Sequence, residues 1–295
     1  MEPELPGPEV DVELVVDARA GVGEGPVWHG ESGRLLWVDI SGRLIHEFDP
    51  GTGLDTSWPV PQMVGAISVR RSGGLVMAMA DGFWVCERRL TGHRRVAPVE
   101  ADRPENRMND GKSDSRGRFW AGTMGLDARP GAGALYRLDP DGGVRTMVSP
   151  VGLSNGLGWS PDDRRMYYAD SLAQTLDVFD YEPEEGRIWN RRTLVEIPPE
   201  VGLPDGLCVD AEGFVWLAVF GAGEVRRYSP DGALDRTVRL PVSRVTCAAF
   251  GGAELDELYI TSATEGVWLD REPQAGGLFR HRPGVRGMPA FEFAG

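Results

Sequence analysis

The sequence predicts an all-β protein, a six-bladed β-propeller with four-stranded blades, and three observations carry that reading. Short apolar segments return at a period of roughly 40 to 50 residues, the spacing of propeller blades. The 40 glycines and 22 prolines follow no fixed triplet, so they mark turns in a folded chain, not collagen or disorder. No amphipathic helical pattern of useful length lies between the apolar segments, which removes a parallel α/β sheet. Hydrophobic residues make up 41% of the 295, enough for a substantial core, and the chain reads as a single domain over 1–295 with residues 1–10 as a flexible tail.

Each unit opens with a loop residue, enters an apolar strand, crosses a tight turn and returns on a strand rich in Trp or Tyr. The first strands read Pro26-Val27-Trp28, Ala66-Ile67-Ser68-Val69, a weak Lys112-Ser113-Asp114, Leu157-Gly158-Trp159, Leu207-Cys208-Val209 and Cys247-Ala248-Ala249-Phe250. Their return strands read Leu35-Leu36-Trp37-Val38, Leu75-Val76-Met77-Ala78, Arg118-Phe119-Trp120-Ala121, Met166-Tyr167-Tyr168, Val215-Trp216-Leu217-Ala218 and Leu258-Tyr259-Ile260. Between them stand Ser32-Gly33, Gly73-Gly74, Arg116-Gly117, Asp162-Asp163, Glu212-Gly213 and Leu255-Asp256, mostly the chemistry of a tight hairpin. Third strands end on punctuation such as Asp49-Pro50-Gly51 and Asp139-Pro140-Asp141-Gly142; these are turns, because an EF-hand loop needs a longer acidic pattern between helices. Both chain ends read as strands, Val12–Val16 and Ala290–Phe293, and the amino-terminal one is expected to complete the last blade and close the ring.

A net charge of -14 argues against nucleic acid or an anionic membrane as partner, since phosphate binding needs clustered Lys and Arg. The first ten residues hold Glu2, Glu4 and Glu9 and no basic residue, unlike a signal peptide, and no stretch reaches the roughly 20 apolar residues of a membrane span. The odd cysteine count, Cys86, Cys208 and Cys247, favours reduced, buried thiols. Together these features predict a cytoplasmic protein, a monomer or weak homo-oligomer, acting on a small molecule.

In a closed ring, residues just before each first strand face one another around the channel mouth. In chain order they are Glu24, Gly65, Asn109, Asn155, Asp205 and Thr246, or a neighbour if the register slips by one. Two carboxylates on one axis repel unless a cation joins them, so Glu24, Asn155 and Asp205 read as ligands of one divalent metal. Oxygen donors suit Ca²⁺, Mg²⁺ or Mn²⁺, and Zn²⁺ or Fe²⁺ also occupy carboxylate sites. His29, His46, His93 and His281 are isolated and offer no zincin spacing. Gly152-Leu153-Ser154-Asn155-Gly156 matches the nucleophile elbow, but its all-β surroundings lack the strand-to-helix turn that a Ser154 nucleophile requires.

These residues carry a resemblance. The segments Gly23-Glu24-Gly25-Pro26-Val27-Trp28, Arg107-Met108-Asn109-Asp110-Gly111-Lys112-Ser113-Asp114, Ala121-Gly122-Thr123-Met124, Ser154-Asn155-Gly156-Leu157 and Pro204-Asp205-Gly206-Leu207 together resemble the SMP-30/gluconolactonase/LRE family, which includes regucalcin and bacterial sugar lactonases. The resemblance implies a single metal held by Glu24, Asn155 and Asp205, with Asn109 near the metal or the substrate. It also implies that Arg107 and Asn109 bind the hydroxyls of a sugar lactone, and that Asp205 doubles as general base in opening it to the aldonic acid. Where similar animal proteins carry a substrate-binding Glu, this chain has Asp127, in a Gly- and Pro-rich loop that fits a lid over the channel mouth. Three alternatives accompany this reading: a non-enzymatic calcium-binding or regulatory propeller, a lactonase for non-sugar lactones, and a metal-free scaffold.

Overall fold

Strand side chains point alternately to the two faces of a sheet, and here both faces of each sheet meet a neighbouring sheet. In the fifth unit Trp216 and Ala218 join the core shared with the sixth, while Val215, Leu217 and Val219 join the core shared with the fourth. Six such clusters, one between each pair of neighbours, replace a single central core. This is why the return strands are apolar throughout instead of alternating with polar residues.

The computed structural model describes residues 12–87 and 90–295, so the expected tail at residues 1–10 lies outside the described residues. Six four-stranded antiparallel sheets, with no helix among the described residues, form a six-bladed β-propeller. The inner strands are Gly23–His29, Val64–Val69, Asn106–Ser113, Ser154–Trp159, Leu203–Val209 and Val245–Gly251, and they define blades 1 to 6. Each touches the next, and the first touches the last. The third begins well before the expected Lys112, because Asn106–Ser113 lines the channel with polar residues and so hides its strand character from an apolar pattern.

The amino-terminal strand Glu13–Val16 closes the ring as expected, pairing with Leu278–His281 as the outer strand of blade 6. Leu14 packs into the core between blades 5 and 6, and Arg280 holds Glu13 at 2.7 Å. The carboxy-terminal segment departs from expectation. Ala290–Phe293 forms one isolated parallel bridge, Arg70 to Phe293, and no strand. Its backbone groups and those of the next residue are shared between blades 2 and 3: Phe293 N–H donates to Val69 O, Ala294 N–H to Gly117 O, and Phe291 O accepts from Ser68. A segment that crosses the ring cannot also run along one sheet edge.

Blades 3 and 5 share a pinned hairpin, Asp-x-x-Gly-x-x-Trp, at Asp114–Trp120 and Asp210–Trp216. One oxygen of Asp210 accepts from Glu212 N and Phe214 N, and the other from the Trp216 indole at 2.9 Å and from Arg227. Asp114 does the same with Arg116 N, Arg118 N, the Trp120 indole and the Arg118 guanidinium. Because each carboxylate satisfies buried donors from turn, core and neighbouring strand together, Asp210→Ala is expected to cost at least about 3 kcal/mol of unfolding free energy. Chemical denaturation measures it, and a loss under about 1 kcal/mol contradicts this role.

Candidate functional site

Every inner strand is irregular at the same height. One or two residues stand out of the ladder with the return strand: Gly25-Pro26, Gly65, Asn109-Asp110, Asn155-Gly156, Asp205-Gly206 and Thr246. A bulge re-aims side chains away from the pleat, and six bulges at one level aim them at the axis. The register slips by one in blade 1. There Gly25, at φ 52°, holds the position of Asn155 and Asp205, and Glu24 reaches the cavity from one residue earlier with a longer side chain.

Glu24, Arg107, Asn109, Asn155, Asp205 and Thr246 all line one cavity of about 180 Å³. Ile40, Met124, Leu153 and Phe220 contribute apolar wall. This volume is below the roughly 300–1,000 Å³ of pockets for drug-sized ligands, so it suits a single small ring. Thr246 is turned inward to the fold, donating to Gly23 O at 2.5 Å. Gly65 leaves space, since a Cβ there would overlap the Asn109 backbone.

Two of the polar positions are held by the same device. Asp39 accepts from Gly21 N, Val22 N and Gly42 N, and Asp170 accepts from Gly152 N, Leu153 N and Ala173 N. Each carboxylate therefore grips the two N–H groups that lie three and two residues ahead of Glu24 or Asn155. The Asn155 amide is then oriented by Ser171, whose hydroxyl donates to Pro204 O at 2.7 Å and so accepts from Asn155 Nδ2 at 3.1 Å. This fixes which end of the amide is oxygen. Asn155 Oδ1 is left buried with no hydrogen-bond partner among the described residues.

Electrostatics mark the same place. Burial, with Asp205 and Asp110 nearby, holds the Glu24 carboxyl well above the usual range. Burial and then the charge of Asp110 raise Asp205 likewise, against hydrogen bonds from Asn155 and Gly206 N–H. Burial pushes Arg107 down to about 10, against the pull of Glu24, Glu265 and Asp205. Two buried carboxylates and an orphaned amide oxygen form a donor set that fits a hard or borderline divalent cation. Among the described residues no three His, Cys, Asp or Glu side chains form such a set by themselves, so the Asn is essential to it.

Arg107 and Asn109 act on each other. Arg107 donates through one nitrogen to Met108 O at 2.9 Å and to Asn109 Oδ1 at 2.7 Å, while Asn109 Nδ2 donates to Ser154 O at 2.9 Å. Asn109 anchors Arg107 with one hydrogen bond at each end of its amide while itself lining the cavity, and the rest of the guanidinium is left to face the cavity. Asp127 does not line the cavity; its carboxylate turns back on its own loop and accepts from Arg129 N at 3.2 Å. Ser154 is buried on a strand and accepts from Tyr168 OH at 2.7 Å, which agrees with its having no nucleophilic surroundings.

The structure adds Asp110 and Glu265 to this set. Asp110 is the second bulge residue of blade 3, where blades 1, 4 and 5 have Pro26, Gly156 and Gly206, and comparing that second position would have revealed it. Its carboxylate, raised by burial, faces a smaller compartment of about 90 Å³ below, with Lys112, Cys208 and Cys247 on the walls and Met288–Phe291 across the far end. All three cysteines are buried and free, as expected. A larger groove of about 830 Å³ lies at the hairpin turns of blades 1 and 6, at the other ends of the inner strands, and contains none of the axial residues.

Comparison with known proteins agrees with this geometry. Residues 22–264 match the family described as SMP-30/Gluconolactonase/LRE-like region. Regucalcin of Xenopus laevis is 40% identical over 97% of this chain and 99% of its own length. Among solved structures, a luciferin-regenerating enzyme superposes with a TM-score of 0.90 at 33% identity, covering 96% of this chain and 99% of that one. A calcium-binding regucalcin from Agrobacterium tumefaciens also gives 0.90, at 29% identity, covering 95% and 96%. With the family model spanning residues 22–264, most of the chain and all six inner strands, the chain belongs to the SMP-30/gluconolactonase/LRE-like family.

Proposed function

We propose that the protein is a metal-dependent hydrolase of carboxylic esters that opens a sugar lactone to its aldonic acid. The observation that carries this reading is the pairing, in one small cavity, of a cation-seeking donor set with a partly unsatisfied arginine. Glu24, Asn155 and Asp205 would hold one divalent ion, with calcium, zinc, manganese, magnesium and iron(II) all compatible with the donors. When bound, such an ion polarises an ester carbonyl and stabilises the developing oxyanion.

The chain's own groups supply the remainder. Asp205 takes the proton of the attacking water, as a carboxylate on the wall of the same cavity is placed to do. Arg107, fixed by Asn109, donates to ring hydroxyls and sets the lactone's orientation. Asp127 takes no part in this arrangement: it is off the cavity wall, and its carboxylate accepts from Arg129 N–H. The apolar wall of Ile40, Met124 and Phe220 limits stray water around the ester. A purely calcium-binding role explains the three donors equally well, and there Arg107 would serve only to offset carboxylate charge, leaving the guanidinium nitrogens that face the cavity unused.

Asp205→Ala is expected to lower kcat by at least roughly a hundredfold on the best aldonolactone, in an assay with the divalent ion restored after chelation. Near wild-type turnover in that variant, or full activity of the wild type after complete metal removal, contradicts the mechanism. A second outcome follows from the raised carboxyls. In cation-free protein they contribute stability below their ordinary values of 4.5 and 3.8, and that contribution is lost as pH rises through the raised values. Cation-free Glu24→Gln is therefore expected to exceed wild type in Tm by a margin that widens as pH rises, and saturating calcium is expected to reverse the order. A margin independent of pH contradicts the assignment.

A further inference from the structure

We propose that Glu265, on the loop after the second strand of blade 6, is the carboxylate that accepts the substrate's ring hydroxyls and so selects polyhydroxylated lactones over bare ones. The proposal rests on the lactonase reading above and names the substrate class of that site.

Glu265 lines the same cavity as Glu24, Asn155 and Asp205 and, among the described residues, is the one carboxylate there that does not come from an inner strand. Its field reaches Arg107, ranking after that of Glu24 among the charges that hold the guanidinium protonated. The backbone is anchored: Glu265 N–H donates to Gly21 O at 3.1 Å, and Thr264 N–H and hydroxyl donate to Ala20 O, each at 3.0 Å. The side chain is anchored as well, because Ser41 donates to Oε1 and leaves Oε2 without a protein partner among the described residues.

The cavity thus presents a fixed donor, Arg107, and a fixed, exposed acceptor, Glu265, in addition to its axial oxygens. A ring hydroxyl is both donor and acceptor, so neighbouring hydroxyls on one lactone satisfy both groups at once. A site built to hydrogen-bond hydroxyls discriminates strongly against an analogue that lacks them. Asp127, by contrast, is not on the wall of this cavity.

The test compares δ-gluconolactone with δ-valerolactone, the same ring with and without hydroxyls, as substrates of wild type, Glu265→Gln and Ser41→Ala with the metal restored. Glu265→Gln is expected to lower the ratio of kcat/KM for the hydroxylated over the bare lactone by about tenfold, chiefly through KM. Ser41→Ala, which unties the same carboxylate, is expected to move the ratio the same way by a smaller factor. If wild type opens both lactones and neither variant changes the ratio, the role of Glu265 is overturned. A wild type that opens neither lactone removes the lactonase reading itself, and the role of Glu265 with it.

Discussion

Like charges on a shared axis set the terms for the rest of this molecule. Glu24, Asp205 and Asp110 are brought together where water is scarce; burial raises all three carboxyls, and the neighbouring carboxylates raise Glu24 and Asp205 further. Leaving them ionised and unneutralised would cost far more than a propeller of ordinary stability can absorb. The arrangement is relieved either by protonation, as the raised carboxyls of the cation-free protein indicate, or by positive charge at the level of the bulges. Arg107 and Lys112 supply part of that charge from the same strand of blade 3. The orphaned Asn155 oxygen indicates where a divalent ion would supply the rest.

The fold holds this arrangement by distributing its apolar cohesion around the rim. Six cores lie between blades and none occupies the axis, so the centre is free for polar groups. Asp39 and Asp170 fix the approach of two inner strands by their backbone N–H groups, and Ser171 turns one amide the right way round. Ring closure by Glu13–Val16 keeps blades 1 and 6 in register, and the carboxy-terminal segment seals the far end of the channel. Precision at the site is thus inherited from strands and pinned turns, which hold geometry better than free loops do.

Much of this was legible in the sequence because a repeat converts chain position into spatial position. The six blades, the ring-closing amino-terminal strand and the family follow from strand and turn periodicity and a few ordered motifs. What escaped did so for physical reasons. The inner strand of blade 3 lacks an apolar pattern because its residues face the channel, and Asp110 stood unnoticed beside Asn109 for the same cause. Glu265 belongs to no repeat, so only the folded loop brings it to the cavity. Ala290–Phe293 has strand-like residues, yet its hydrogen bonds go to the end of one inner strand and its turn, with the next residue held by blade 3, a tertiary outcome that local pattern does not encode.

The central claim is that Glu24, Asn155 and Asp205 share one cation. A crystal soaked in calcium, with anomalous scattering used to locate the ion, tests it most directly. The account predicts one dominant peak about 2.3–2.6 Å from carboxylate oxygens of Glu24 and Asp205 and from Asn155 Oδ1. A fully soaked crystal with no peak there, or with its principal peak in the lower compartment beside Asp110, would contradict it.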